Sequence, residues 1–335
     1  MAQILNGEFV RNETNQGSMG GTEVMTMKLA EKLPKELLEK FQIVSSRVKS
    51  PLQEDKIRIF WAHDLSGDGE NNFLKDKNER DKFHRFVFVS HWQMQSYIQA
   101  FNLPWSKCVV LQNAIETVTP STTRPDAKEE LNIIYTPTPH RGLSILIPVF
   151  EKLAEKHDHI HLHVFSSFAL YGWEERDKEY EPIFEQMDKH PRIHNHGTQP
   201  NEVVREQLAK SHIFAYPSIW PETSCMCLME AMASELVCVH SNFAALPETA
   251  ANWTQMYQLH EDINHHAGLF YNYLDMIIDQ YDTETIQSRL APASNYANVF
   301  YTWPNRVIEW QSFLTMLDQS IDDTTFPKET FDFTT

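Results

Sequence analysis

The chain is poor in glycine and in positive charge, and it has no long apolar run. Only 10 of its 335 residues are glycine, against 12% aromatic residues and 8 tryptophans, a balance that argues for ordered structure rather than disordered segments. No stretch approaches the roughly 18 consecutive apolar residues that span a bilayer, so no transmembrane segment is expected. The opening MAQILNGEFV has no basic region followed by an apolar stretch. No signal peptide is read there, and a cytoplasmic location is expected. Cysteine is scarce. Cys108, Cys225, Cys227 and Cys238 form no CxxC, and the single residue between Cys225 and Cys227 suits zinc poorly, so the four read as reduced, buried thiols. Lys and Arg total 29 against 46 Asp and Glu, a formal net charge of −17. That disfavours a nucleic-acid partner tracked along its phosphates, but it leaves room for a local basic patch that holds one diphosphate. There is no GxGxxG, so the Rossmann dinucleotide fingerprint is not supported.

What is present is a repeated alternation of strand and helix, long enough for two domains. In the first half, Ala2–Leu5, Phe41–Ser46, Ile57–Ala62, Phe86–Val89 and Lys107–Leu111 read as strands. Thr22–Leu38 reads as a helix with Thr22 as N-cap, and Trp92–Phe101 as another. Between the first strand and the first helix lies a polar loop, Asn12–Gly21, whose bland reading is a turn needing positive φ at Gly20 or Gly21. Gln112–Asp126, rich in Thr, Pro and Ser, is the best linker. A second alternation follows: strands at Ile133–Tyr135, His159–Phe165, Ile193–His196 and Ile213–Tyr216, with helices at Gly142–Glu155 and Asn201–Ala209. Alternation of this kind implies parallel sheets with helices on both faces. His159, His161 and His163 share one strand face. Hydrogen-bonded core or edge histidines explain them better than a metal, and no metal site is expected.

The stretch with most chemistry in it is Tyr216–Thr249. Glu222 sits on a loop bounded by Pro217 and Pro221, and Glu230 on a short helix, with seven residues between them. A carboxylate on a rigid helix suits the vicinal diol of a ribose, and one on the neighbouring loop suits sugar hydroxyls. Arg141, just ahead of the helix that opens at Gly142, offers a cation and backbone amides to a diphosphate. The amides of Cys225, Met226 and Cys227 at a helix start offer more. His63, at the end of the Trp61-Ala62-His63-Asp64 strand, stands where α/β strands present ligand-binding groups. On spacing alone the two glutamates are no more than ordinary carboxylates.

The segment YPSIWPETSCMCLMEAMAS, with ALPET downstream, resembles the EX7E region of retaining glycosyltransferases of family 4, which have the GT-B fold. MGGTE at Met19–Glu23, WAHD at Trp61–Asp64, FVFVSHWQ, VVLQNAIE, IIYTPTPHRGL and YTWPNRVIEW resemble further anchors of that family, in the right order along almost the whole chain. The resemblance implies two Rossmann-like domains facing across a cleft. Residues 1–120 would form the acceptor side and 121–298 the donor domain. Residues 299–320 would be a helix crossing back, and 321–335 an acidic tail. It implies that Glu222 contacts the donor sugar, Glu230 the ribose and Arg141 the diphosphate. Gly20 and Gly21 would let their loop approach the donor. His63 would lie at the reaction centre, and Gly197 and Thr198, with Gln199, near the base. The donor would be a UDP- or GDP-sugar, the acceptor a hydroxyl on a glycan, glycolipid or protein, and no cofactor or metal would be needed.

The chain departs from the family pattern in four places. Thr136 stands where a first basic residue is usual. Glu235 replaces the glycine after the EX7E helix, so that helix is expected to end differently. Cys225 stands at a common glycine position, and Ala244-Ala245 in a turn that often bears glycine. Two other functions stay open: a nucleotide-sugar epimerase or hydrolase on the same fold, and a non-catalytic sugar-nucleotide binding module. Peripheral membrane contact also stays open, although Lys28, Lys32, Lys35 and Lys40 are offset by Glu23, Glu31, Glu36 and Glu39.

Overall fold

Runs of Ile, Val and Phe bounded by polar turns form two six-stranded sheets in the computed structural model, which describes residues 2–11, 20–121 and 124–321. One sheet lies in each of two units. The first unit takes in the chain to Ala114 and again from Trp303, and the second takes in Ile115–Thr302.

In the first unit, β1 (Ala2–Leu5) and β2 (Glu8–Arg11) form a hairpin. Its two turn residues, Asn6 and Gly7, have φ of 52° and 74°, the left-handed pair that matches the natural twist of a tight hairpin. The sequence reading assigned no second strand between Leu5 and the loop at Asn12; the Asn-Gly signal was there. α1 (Gly21–Lys32) and α2 (Lys35–Leu38) come next, where a single helix over Thr22–Leu38 was expected. Leu33 is extended at φ −95° and ψ 150°, as the residue before Pro34 prefers, and the helix breaks there. Gly20, not Thr22, is the N-cap, at φ −71°, and Gly21 is already helical. The glycine pair therefore does not serve a left-handed turn. The rest of that loop, residues 12–19, lies outside the described residues.

β3 (Phe41–Ser45), β4 (Ile57–Trp61), α3 (Lys77–Asp81), β5 (Arg85–Phe88), α4 (His91–Phe101) and β6 (Cys108–Val110) complete the run. The sheet order is β2-β1-β3-β4-β5-β6. β3 to β6 are mutually parallel, while β1 is antiparallel to both its neighbours, an edge that the expected parallel alternation did not include.

The second unit holds β7 (Leu131–Tyr135), α5 (Leu143–Lys156), β8 (Ile160–Val164), α6 (Glu181–Lys189), β9 (Ile193–Asn195), α7 (Asn201–Lys210) and β10 (Ile213–Tyr216). After these come α8 (Met226–Ala233), β11 (Val237–Ser241), α9 (Leu246–Ala250), β12 (Gln255–Tyr257), α10 (Ile263–Gln280) and α11 (Glu284–Phe300). All six strands are parallel, in the order β9-β8-β7-β10-β11-β12. This is the doubly wound Rossmann order. The strand order reverses between β7 and β10, so the connections from those two strands run on toward opposite edges of the sheet. α5 is buried over most of its length by Leu143, Leu146, Ile147, Phe150 and Leu153, which hold it on the sheet.

The stretch entering this unit is bonded to the stretch leaving it: the Ile115 amide donates to the Tyr301 carbonyl at 2.7 Å. The final helix, α12 (Trp303–Ile321), belongs with the first unit, where the buried Trp310 meets Trp61 edge-on at 4.8 Å. The acidic tail beyond Ile321 lies outside the described residues.

The strand histidines form a ladder across β8 and β9. His161 Nδ1 lies 3.1 Å from His194 Nε2, and His163 Nδ1 lies 3.1 Å from His196 Nε2. His194 stacks on His163 at 4.6 Å, and Phe165 stacks on His196 at 4.3 Å. His163 Nε2 also bonds Asn132 Oδ1 at 3.0 Å. Burial, reinforced by the neighbouring imidazoles, holds His163 down at about 3. His240, buried within β11, is held at about 4. These bases are neutral in the fold but take up protons near 6.5 once unfolded, so stability is full above that value and falls as pH drops from 6.5 toward 3. Thermal melts from pH 8 to pH 4 are expected to show a falling Tm below pH 6.5, with a shallower fall for His163→Gln; equal slopes would contradict the ladder's part in it.

Candidate functional site

The loop leaving β7 is built around Gly142. Thr138, Pro139, His140 and Arg141 form a single tight turn, and Gly142 follows at φ 141°, a conformation L-residues rarely adopt. A Cβ at Gly142 would lie 2.3 Å from the carbonyl oxygen of Pro217. The loop leaving β10 thus lies directly on the loop leaving β7. Their backbones are joined where the Ile219 amide donates to the Arg141 carbonyl at 3.2 Å. This close approach sits at the sheet's switch point, where α/β folds of this order bind ligands.

On these two loops Arg141 and Glu222 meet. Arg141 donates to Glu222 Oε1 at 2.6 Å, and the Tyr216 hydroxyl donates to the same oxygen at 2.5 Å. The Glu222 side chain is 6% exposed and that of Arg141 24%, so the pair is largely out of water with one side open. Burial works against the charge on Arg141, but Glu222, with Tyr216 and Tyr171, more than offsets it and keeps the guanidinium protonated. Buried Oγ1 of Thr138, Nδ1 of His140, Nε of Arg141 and Oγ of Ser224 have no hydrogen-bond partner. Buried polar atoms are normally paired, so four orphans on the two loops mark a surface shaped for a polar ligand.

Glu230 stands one turn into α8. The N-cap of that helix, Cys225, makes no side-chain cap. Arg205 of α7 lies 3.8 Å from Glu230 Oε1. Burial raises the Cys227 thiol to about 11 against a hydrogen bond with Thr136, so it stays protonated. Thr136, which occupies the place of a usual cation, is thus beside the start of α8. The helix does not end differently for want of glycine. Glu235 takes the left-handed conformation, at φ 59°. The Leu236 amide donates to Ala231 O and the Glu235 amide to Met232 O, a Schellman closure. Arg124 adds bonds to the carbonyls of Ser234 and Glu235 at 2.6 and 3.0 Å, and Ser294 of α11 donates to Ala233 O at 2.7 Å. Ala244 is likewise left-handed, at φ 53°.

Gly197 and Thr198 follow β9, two strands from β7 and at the same end of the parallel sheet. Gly197 has φ 58°, and its amide is held by Asn195 Oδ1 at 3.3 Å. His63, Gly20 and Gly21 belong to the first unit. The His63 amide donates to Ser46 Oγ at 3.0 Å, its ring lies 4.5 Å from that of Trp61, and burial lowers its imidazole to about 3. It is a neutral group. Sequence reasoning did not assign Tyr216 or Arg205. Tyr216 stands inside the motif itself, a hydroxyl at the end of an apolar strand; Arg205 has no local signal.

Two substitutions test this construction. Gly142→Ala forces apart two backbones and is expected to cost several kcal/mol, on the scale of overpacking plus strain at a special φ, measured by denaturant unfolding. Glu235→Gly removes a left-handed side chain and is expected to stabilise by on the order of 1 kcal/mol; a loss of stability would contradict the Schellman closure.

No curated protein matches the chain by sequence. Solved structures do match its fold. A glycosyltransferase from Rickettsia africae aligns with a TM-score of 0.65 at 14% identity, covering 92% of this chain and 85% of that one. Sucrose-phosphate synthase from Thermosynechococcus elongatus aligns at 0.63 and 11% identity, covering 80% and 69%. HepE from Anabaena, solved with UDP-glucose, aligns at 0.61 and 16% identity, covering 78% and 72%. The architecture is the GT-B fold, two Rossmann-like α/β domains. Within it, residues 117–268, which carry Arg141, Glu222 and Glu230, match the family described as glycosyl transferases group 1.

Proposed function

We propose that the protein is a retaining, metal-independent glycosyltransferase that moves a sugar from a nucleoside diphosphate to a hydroxyl of a glycan or glycoconjugate, in the cytoplasm. The observation that carries this reading is the Arg141–Glu222 pair at the switch point of the second unit's sheet. A cation and a carboxylate that share one bond suit the junction of a sugar nucleotide, where phosphate oxygens and sugar hydroxyls are neighbours. Arg141 holds the diphosphate and stabilises the charge that develops on it as the anomeric C–O bond breaks. Glu222, already an acceptor from Tyr216, takes hydrogen bonds from the sugar hydroxyls. Glu230 accepts from the ribose, with Arg205 beside it. Met226, Cys227 and the uncapped start of α8 offer amides to the phosphates.

The acceptor oxygen forms its bond on the face from which the diphosphate departs, and its proton passes to the departing phosphate. Arg141 supplies the positive charge there, and no resident metal takes part. His63, held neutral, acts through hydrogen bonding; Gly20 and Gly21 keep the donor-approach role that the family resemblance gives them. The UDP and UDP-glucose complexes of HepE support UDP as the first nucleotide to try.

Thermal shift against UDP, GDP and their sugars is the first test. A true ligand at a hundredfold excess over Kd stabilises by about 2.7 kcal/mol. Glu230→Ala is expected to weaken UDP by roughly tenfold or more, the scale of a lost hydrogen bond to a charged group. Glu222→Ala is expected to abolish most turnover with less effect on UDP itself. Unchanged turnover in Glu222→Ala, or no turnover of any UDP- or GDP-sugar by the native protein, would sink the reading.

A further inference from the structure

Charge balance at the site leaves a gap. Arg141 is bonded to Glu222, so the pair is neutral, and Glu230 lies 3.8 Å from Arg205. The diphosphate of a sugar nucleotide brings about two negative charges. Among the described residues of the second unit, a further cation without an ion pair stands beside these loops.

That cation is Arg176, on the loop that leaves β8. Four acidic residues share its turn, Glu174, Glu175, Asp177 and Glu179, yet no ion pair joins Arg176 to any of them. Asp177 is used to fix the loop instead: its carboxylate accepts from Ser167 Oγ at 2.5 Å and from the Phe168 amide at 2.8 Å. Arg176 is held by aromatic faces, 4.2 Å from the ring centre of Phe168 and 5.5 Å from that of Trp173. Stacking of this kind positions a guanidinium while leaving its N–H edge free to donate.

The same rings lead to Arg141. Phe168 stacks on His140 at 5.1 Å and 19°, His140 meets Trp220 edge-on at 4.6 Å, and Arg141 lies 5.9 Å from the Trp220 ring centre. The loop is tied to its neighbour where Ser166 Oγ donates to the Pro137 carbonyl at 2.7 Å. β8 is adjacent to β7 and parallel to it, so both loops leave from the ligand-binding end of the sheet. The field at His140 agrees: burial, then Arg141 and Arg176 together, bring its imidazole to about 4.

Resting on the reading above, we propose that Arg176, carried on the aromatic bed of Phe168 and Trp173, is the second cation of a diphosphate subsite shared with Arg141. Its planar fork donates to phosphate oxygens while Arg141 divides its donors between phosphate and Glu222. Trp173, 46% exposed, and Trp220, 36% exposed, are the apolar rim of that subsite.

The test is calorimetric titration of UDP, uridine and inorganic pyrophosphate into the full chain. Arg176→Gln is expected to weaken UDP and pyrophosphate about tenfold and to leave uridine unchanged, with a flatter dependence on salt. Arg176→Lys, which keeps the charge but loses the planar fork and the aromatic stacking, is expected to bind UDP more weakly than the native protein and more tightly than Arg176→Gln. Glu175→Gln, a neighbouring exposed change, is expected to bind as the native protein does. Arg176 is exposed, and unchanged melting of the variants confirms that they are folded. Native-like UDP binding by Arg176→Gln overturns the subsite and leaves the functional reading standing. Failure of the native protein to bind any nucleoside diphosphate overturns both.

Discussion

The second unit depends on one contact, the guanidinium of Arg141 against the carboxylate of Glu222. It spans 81 residues of sequence and closes the gap between the loops leaving β7 and β10. Neither charge is affordable alone in that place: removing one partner of a buried pair leaves the other uncompensated. The backbone contact at Gly142 brings the loops together, and Tyr216 and Arg141 share the Glu222 oxygen. The orphaned donors and acceptors on Thr138, His140, Arg141 and Ser224 then have a physical sense, as groups positioned for a partner that the pair alone does not satisfy.

Around that contact burial holds the thiols of Cys225 and Cys227 protonated and the imidazole of His140 neutral. Charge near the β7 and β10 loops is thereby left to a few arginines and glutamates. In a chain of net charge −17 this matters, because an anionic donor is drawn by local cations rather than by the protein's overall field. Arg176, lifted clear of its acidic neighbours by two aromatic rings, belongs to the same economy of charge.

Much of this was legible in the sequence. Apolar runs gave the strands closely, Ile213–Tyr216 to the residue, because parallel strands buried on both faces must be apolar throughout. Arg141 was visible just ahead of the helix that opens at Gly142, and Glu222 on the loop bounded by Pro217 and Pro221. What was hidden depends on register and on distant partners. No local pattern says that Arg141 bonds Glu222, that Arg205 approaches Glu230, or that histidines 33 residues apart interleave as a ladder. Other features were present in local signals that went unread. The Asn6-Gly7 turn marks a hairpin, and Leu33-Pro34 splits a helix. Glu235 shows the opposite case: tertiary bonds from Arg124 and Ser294 hold the end of α8 strongly enough to keep a left-handed turn without glycine.

The most direct measurement is the affinity of Glu222→Gln for UDP. The amide keeps an oxygen for Arg141 and Tyr216 but removes the charge that competes with phosphate. If Arg141 serves the diphosphate and Glu222 the sugar, UDP, which has no sugar, binds the variant a few-fold more tightly than the native protein. A tenfold or greater loss of UDP affinity would contradict the account, because it would mean that the Glu222 charge is needed to hold the nucleotide rather than to divide the site.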